Sequence, residues 1–350
     1  MKASRLLFLI ALFIGTLALS CRHEAVPEKK AGDRGFFAKG ADISWATEME
    51  DKGLKFYIEP GREMECTALF KEIGFNSVRF RVWVNPEGGY CGKEDLLRKC
   101  RRAQDLGMKI LIDFHYSDWW ADPGKQNVPA AWTGQSVEEM AASLAQHTES
   151  TLKYLKDSGI DISWVQVGNE VENGMLWESG RVQGNTAENF ATYFNAGASA
   201  VRRVYPDAEV ILHVSNSWKA ETLIWFYDLM KANNVAYDII GLSLYPSYWQ
   251  DGQYPDWSTK TLQAVQNFFL LHDTYGKDIM LVEFGMPVSQ PDRAKDCLQY
   301  LLDSTGGREW FKGIFLWEPE SEKTRNNYDY GAFSNGRPTS ALDPFRNKSK

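Results

Sequence analysis

The sequence predicts a (β/α)8 barrel folded as a single domain, and three observations predict it. From Lys39 onward short apolar runs alternate with amphipathic segments, the pattern of parallel strands wrapped by helices. There are eight such runs, a number at which a sheet closes into a filled barrel. Polar and aromatic residues gather at their C-terminal ends, where this architecture builds its active site. A doubly wound open sheet is the competing arrangement, but no GxGxxG or phosphate loop follows any early run.

In chain order, residues 1–20 read as an export signal: Lys2 and Arg5 precede an apolar run that ends in small residues. The run closes on Ala18-Leu19-Ser20-Cys21, a bacterial lipoprotein cleavage box, so Cys21 is expected to carry acyl chains and tether the protein to a membrane. A stray cysteine behind an ordinary cleavage site is the alternative. Residues 21–36 are polar and charged, a spacer before a barrel at 37–346. The strand runs are 40–45, 77–83, 109–116, 163–170, 210–216, 239–245, 279–285 and 313–317. Helices are expected over 63–73, 93–106 and 137–156, the last opened by Ser136 with Glu139 three residues on, a capping box. Gly74, Gly107 and Gly159 follow these helices where left-handed caps belong.

A chain of 350 residues with 44% hydrophobic content has enough apolar side chains for one large core. Its formal charge of −7, or −9 once Lys2 and Arg5 leave with the signal, shows no basic stripe, which argues against a nucleic-acid partner. Thirteen Trp and fifteen Tyr are many for this length, and flat rings suit stacking on sugars. Cys66, Cys91, Cys100 and Cys297 form no metal-ligand spacing, and their pairing is not readable.

The strand ends carry Asp42 and Trp45, Arg79, Arg81 and Trp83, Asp113 and His115, Asn169 and Glu170, His213 and Asn216, Tyr245, Glu283, then Trp317 and Glu318. Two of these suit glycosidic hydrolysis, which needs one carboxyl to protonate the leaving oxygen and a second to attack or stabilise the anomeric carbon. Glu170 ends the fourth run and Glu283 the seventh, so they face each other across the mouth. The amide of Asn169 beside Glu170 suits a sugar hydroxyl, and bare backbone at Gly285 leaves room near Glu283. Arg79 is the cation expected to keep Glu283 ionised, since a neighbouring positive charge lowers a carboxyl pKa while apolar surroundings raise that of the acid. A structural salt bridge is the alternative for either glutamate alone.

The strings GADIS (40–44), GFNSVRFRVW (74–83), DFHYSDWWADPGKQ (113–126), GNE (168–170), GLSLYP (241–246), VEFG (282–285) and LWEP (316–319) resemble family 53 of the glycoside hydrolases, the arabinogalactan endo-β-1,4-galactanases. The likeness runs from about residue 39 to about 320. It implies retaining endo-hydrolysis of β-1,4-galactan, with Glu170 as acid/base and Glu283 as nucleophile. It also implies that Arg79, His115, Tyr245 and Trp317 line the subsite of the attacked sugar, and Ser243 two residues before Tyr245 agrees with the galactanase pattern. One departure stands out. The family commonly carries an aromatic after Trp317-Glu318-Pro319, where this chain has Glu320-Ser321-Glu322-Lys323.

Trp83, Trp119, Trp120, Trp249 and Trp257 are candidates to stack on further sugars, with burial under a loop as the alternative. Asp42 joins Asn169 among expected substrate contacts. Asp118, Asp122 and Lys125 either touch hydroxyls or tie their loop down. Residues 318–335 hold several oxygens for a structural calcium, but lack EF-hand spacing and read more simply as a solvated loop. No cofactor is needed for the chemistry, and His115 and His213 are expected as hydrogen-bonding groups. The expected partner is galactan or its oligosaccharides, with membrane contact only through the anchor, and the protein is expected to be a monomer. Another endo-β-1,4-glycanase, such as a mannanase or cellulase, and a non-catalytic surface glycan-binding lipoprotein are the rival readings.

Overall fold

The computed structural model describes residues 35–248 and 252–347, so the signal, Cys21, most of the spacer and Trp249 lie outside the described residues. Eight parallel strands close a barrel: β1 (Ala38–Asp42), β2 (Ser77–Val82), β3 (Lys109–Phe114), β4 (Trp164–Val167), β5 (Glu209–Val214), β6 (Ile239–Leu244), β7 (Asp278–Phe284) and β8 (Phe311–Trp317), with β8 pairing back onto β1. Seven long helices follow the strands in turn: α1 (Cys66–Ile73), α2 (Lys93–Asp105), α3 (Val137–Asp157), α4 (Glu188–Val204), α5 (Ala220–Ala232), α6 (Trp257–Tyr275) and α7 (Pro291–Thr305). After β8 come a four-residue helix, a short hairpin (Phe333–Ser334 with Arg337–Pro338) and the 3-10 turn Ser340–Phe345.

Alternation along the strands sorts the side chains into two cores. Residues such as Val78, Phe80, Ile110, Ile112, Val165, Val210, Leu242 and Leu281 point outward and pack beneath the helices. Their neighbours point inward, and the barrel fills from its N-terminal end with Ala38, Leu111, Trp164, Ile211, Ile239, Met280, Val282 and Phe315. Two glycines make that filling possible. A Cβ on Gly40 would stand 2.1 Å from the Phe315 ring, and one on Gly241 would stand 2.5 Å from Ile211 Cγ2. Above the apolar plug the same inward rows turn polar, with Asp42, Arg79, Arg81, Asp113, Gln166, His213, Ser243 and Glu283 all buried. Lysines and carboxylates are rarely fully buried without partners, so this layer must be internally paired.

The expected strands are present, but several end earlier than the apolar runs. Tyr116, Glu170, Asn216 and Glu318, each just past a strand, have φ of 49°, 46°, 51° and 45°. A left-handed residue cannot continue a ladder, so the chain turns out of the sheet there and swings its side chains over the mouth. The first long helix also starts later than expected. Residues 63–64 belong to a hairpin (Phe56–Glu59 with Arg62–Met64) that turns at Pro60-Gly61, and Glu65 caps the helix by accepting from Thr67 and Ala68 amides. The Ser136/Glu139 capping box forms as expected, and Gly74, Gly107 and Gly159 have φ of 128°, 64° and 78°.

The four described cysteines are free and buried. No described helix is long and apolar enough to cross a membrane.

Candidate active site

Arg79 is the hub of the polar layer. Its guanidinium, wholly buried, meets Asp42 Oδ2 at 2.7 Å, Asp113 Oδ2 at 2.8 Å and Glu283 Oε1 at 3.0 Å, and it donates to Asn169 Oδ1 at 2.9 Å. One cation thus answers three carboxyls. This is why Glu283 is not strongly acidic despite its partner: burial pushes its pKa up, Arg79 pulls down, and Asp113 and Asp42 push up again, leaving it at about 7. Tyr245 donates to the other oxygen, Glu283 Oε2, at 2.9 Å. Gly285 allows this, since a Cβ there would lie 2.5 Å from the Tyr245 ring.

Glu283 faces the mouth because of a bulge. Leu242 pairs with Leu281, but the next residue, Ser243, pairs with Glu283, so Val282 is extra on β7. Val282 packs inside the barrel, and strict alternation would send Glu283 outward into the helix layer; the bulge re-aims it.

Glu170 sits past β4, partly open to the cleft. Ser243 donates to its Oε1 at 2.8 Å, while His213 Nε2 lies 2.8 Å from the same hydroxyl. A hydroxyl has one proton, so if Ser243 gives it to Glu170, His213 must donate from Nε2. Its Nδ1 is then the acceptor for the Glu170 amide at 3.3 Å and Gln166 Nε2 at 3.0 Å. Burial, Arg79 and His115 hold His213 well below its usual pKa, so the ring is neutral. Burial and the Glu283 charge raise the Glu170 carboxyl well above its ordinary value, with Glu172 adding to both. The first proton lost by the pair therefore leaves Glu283, and the charge formed holds the remaining proton on Glu170. The two carboxyls thus hold their protons unequally, Glu170 more tightly than Glu283.

Several expected substrate contacts are buried and hydrogen-bonded within the protein. Asp42 is fully buried and spends its oxygens on Arg79 and on Ser44. Arg79 itself is inaccessible. His115 uses Nε2 on Asp113 at 3.0 Å and Nδ1 on the Ala121 amide at 3.1 Å. Asn169 bonds Arg79 and the Ala121 carbonyl, which leaves one amide proton for a ligand.

Trp83 is buried beneath Trp119 and Trp120, with ring centroids 4.8 and 5.2 Å away; the exposed ring of that stack is Trp119, at 54%. Trp120 and Trp317 are half-buried at 5.8 Å from each other, and Arg81 lies 4.2 Å from the Trp120 ring. Trp257, the first residue of α6, is half-buried and packs on Tyr300 of α7. Asp118 and Asp122 tie their loop down, accepting from the Asn85, Ala130 and Gly124 amides. Gln166 and Tyr328 are site residues that sequence reasoning missed. Gln166 was legible as the inward residue two before Gly168.

The segment after β8 is not the solvated loop expected. Glu318, Glu320 and Ser321 are fully buried, Glu318 pairs with Arg81, and Glu322 accepts from the Asn335 and Gly336 amides. Among the described residues no group of three or more His, Cys, Asp or Glu side chains is gathered to hold a metal.

A parallel barrel whose mouth holds two largely buried, interacting carboxyls of unequal acidity among aromatic rings is the frame of a glycoside hydrolase. Residues 38–305 match the family described as Glycosyl hydrolase family 53, and the chain belongs to it. It is 36% identical over 323 residues to an endo-beta-1,4-galactanase of Bacillus subtilis, covering 83% of this chain and 72% of that one. A probable arabinogalactan endo-beta-1,4-galactanase A of Neosartorya fischeri is 31% identical, across 80% of this chain and 83% of its own. Among solved structures, a fungal beta-1,4-galactanase superposes with a TM-score of 0.77 at 25% identity, covering 89% of this chain and 99% of its own. The family 53 catalytic domain of Ignisphaera aggregans gives 0.76 at 27% identity, with 92% and 97% covered.

Proposed function

We propose that this protein cuts internal β-1,4-galactosidic bonds of galactan with retention of configuration, using Glu283 as nucleophile and Glu170 as acid/base. The observation that carries the reading is that Ser243 and Tyr245, two residues apart on one face at the end of β6, hold one carboxyl each. Carboxyls hooked to one strand end, near enough for one charge to raise the other's pKa, fit the close pair of a retaining enzyme (about 5–5.5 Å) better than the wider pair of an inverting one (about 6.5–9.5 Å).

In the first step Glu283 attacks the anomeric carbon while Glu170 protonates the departing oxygen. In the second, Glu170 takes a proton from water, which displaces Glu283. Arg79 and Tyr245 stabilise the charged nucleophile, and the His213–Ser243 pair orients the acid. The sugar assignment is supported by the names of the relatives and by Ser243, which agrees with the galactanase pattern. The sequence also supports export with a lipid on Cys21.

Linear β-1,4-galactan, β-mannan and β-glucan are the substrates to compare, with products followed by chromatography. Mid-length galacto-oligosaccharides early in the reaction are expected; preference for mannan or glucan, or no hydrolysis of any, contradicts the reading.

A further inference from the structure

The chain lacks an aromatic residue directly after Pro319, yet the wall beside Trp317 is not open. Glu320 is buried beside Glu318, and Tyr328 supplies the ring instead. Its centroid lies 4.7 Å from Trp317 at 75° and 6.0 Å from Trp45 at 63°. Nothing in the sequence marks this residue, because it arrives from a loop whose path depends on the buried Glu318 and Glu322 anchors.

The Tyr328 hydroxyl is shut off from solvent and has no hydrogen-bond partner among the described residues. A buried, unsatisfied polar atom is costly and calls for a reason. Its position supplies one. A Cβ on Gly285 would fall 3.1 Å from Tyr328 Oη and 2.5 Å from Tyr245 Cε1, so the two phenols crowd the same bare backbone, two residues past Glu283. Tyr245 gives its only proton to Glu283, which leaves its oxygen as an acceptor. Burial and the Glu283 carboxylate push the Tyr328 phenol well up, while a hydrogen-bonding interaction with Tyr245 pulls it down. The two phenols thus meet over Gly285 and interact without forming a well-aligned hydrogen bond, one step removed from the nucleophile.

We propose that Tyr328 is a positioning residue for the reaction, donating to Tyr245 Oη as substrate fills the cleft and so keeping the Tyr245 proton aimed at Glu283 Oε2. Hydrogen bonds in such a chain polarise one another, so Tyr245 becomes a better donor to the carboxylate. The proposal rests on the reading of Glu283 as nucleophile.

Tyr328→Phe keeps the ring and its packing and removes only the hydroxyl. The expected result on galactan is a fall in kcat of about three- to tenfold, the size of one neutral hydrogen bond, with KM changed by less than about twofold. The acid limb of the kcat/KM profile should move to higher pH, because Glu283 loses part of a donor that lowers its pKa. In a Tyr245→Phe background the same substitution should cost nothing further. A Tyr328→Phe enzyme with unchanged kcat and acid limb overturns the proposal, as does a full additional loss in the Tyr245→Phe background. Glu283→Ala is the control: if it stays active, the reading of the site fails and takes the proposal with it. If it is inactive while Tyr328→Phe matches the parent, only the proposal falls.

Discussion

At Glu170 the backbone sits at φ 46°, a conformation a residue of this kind rarely adopts, and the side chain it carries is hydrogen-bonded to Ser243 rather than to a cation. Glu283 has the opposite surroundings, with Arg79 on one oxygen and Tyr245 on the other. Identical side chains thereby differ in acidity, and the proposed mechanism requires Glu283 charged and Glu170 neutral. The rate should fall on the acid side as Glu283 gains its proton, near pH 7 in the free enzyme, and on the alkaline side as Glu170 loses its own. Ser243 lowers the Glu170 pKa. Ser243→Ala should therefore move the alkaline limb to higher pH and reduce kcat, which a pH–rate profile on galactan would register; an unmoved limb contradicts the assigned bond. Both glutamates were legible in the sequence because each closes an apolar run at the expected rim. The duties of Asp42, His115 and Arg79 were not, since a strand end marks a residue as facing the mouth but not whether a neighbour on the next strand has already claimed it. Trp83 shows the same limit: the run predicts its direction and says nothing of Trp119 lying over it.

The elements were legible where periodicity is strong. All eight strands and the capping box at Ser136 follow from the pattern of the chain, whereas the hairpin at 56–64 was overlooked although Pro60-Gly61 announces its turn. The bulge at Val282 was not readable, because an extra residue on one strand is defined only by the register of its partner. The strands also impose a demand on their inward faces that composition alone does not reveal. Gly40 has to be bare for Phe315 to lie across the barrel axis. Gly40→Ala should overpack the plug at a cost of roughly 2–3 kcal/mol, lowering Tm by about 5 °C or more while leaving kcat of the folded enzyme nearly intact. Calorimetry with activity measured below the transition would check this, and an unchanged Tm contradicts the filled-barrel account.

For the whole molecule, the two ends of the barrel do different work. Its N-terminal face is sealed by Phe36, 6.2 Å from Trp164, with Lys109 4.8 Å from the Phe36 ring, and the carboxyl pair opens at the opposite face. A tether at Cys21 would join the chain on the sealed face and leave the mouth turned toward polymer. Cys21→Ala should shift galactan-cleaving activity from the membrane fraction to the soluble one without altering its kcat; activity that is soluble in both forms contradicts the anchor. The claim on which the chemistry turns is that Glu283 bonds to the sugar and Glu170 then delivers water to the same face. The most direct test is proton NMR of the first reducing ends released from linear galactan, recorded before mutarotation. The account predicts β anomers appearing first, and α anomers would contradict it.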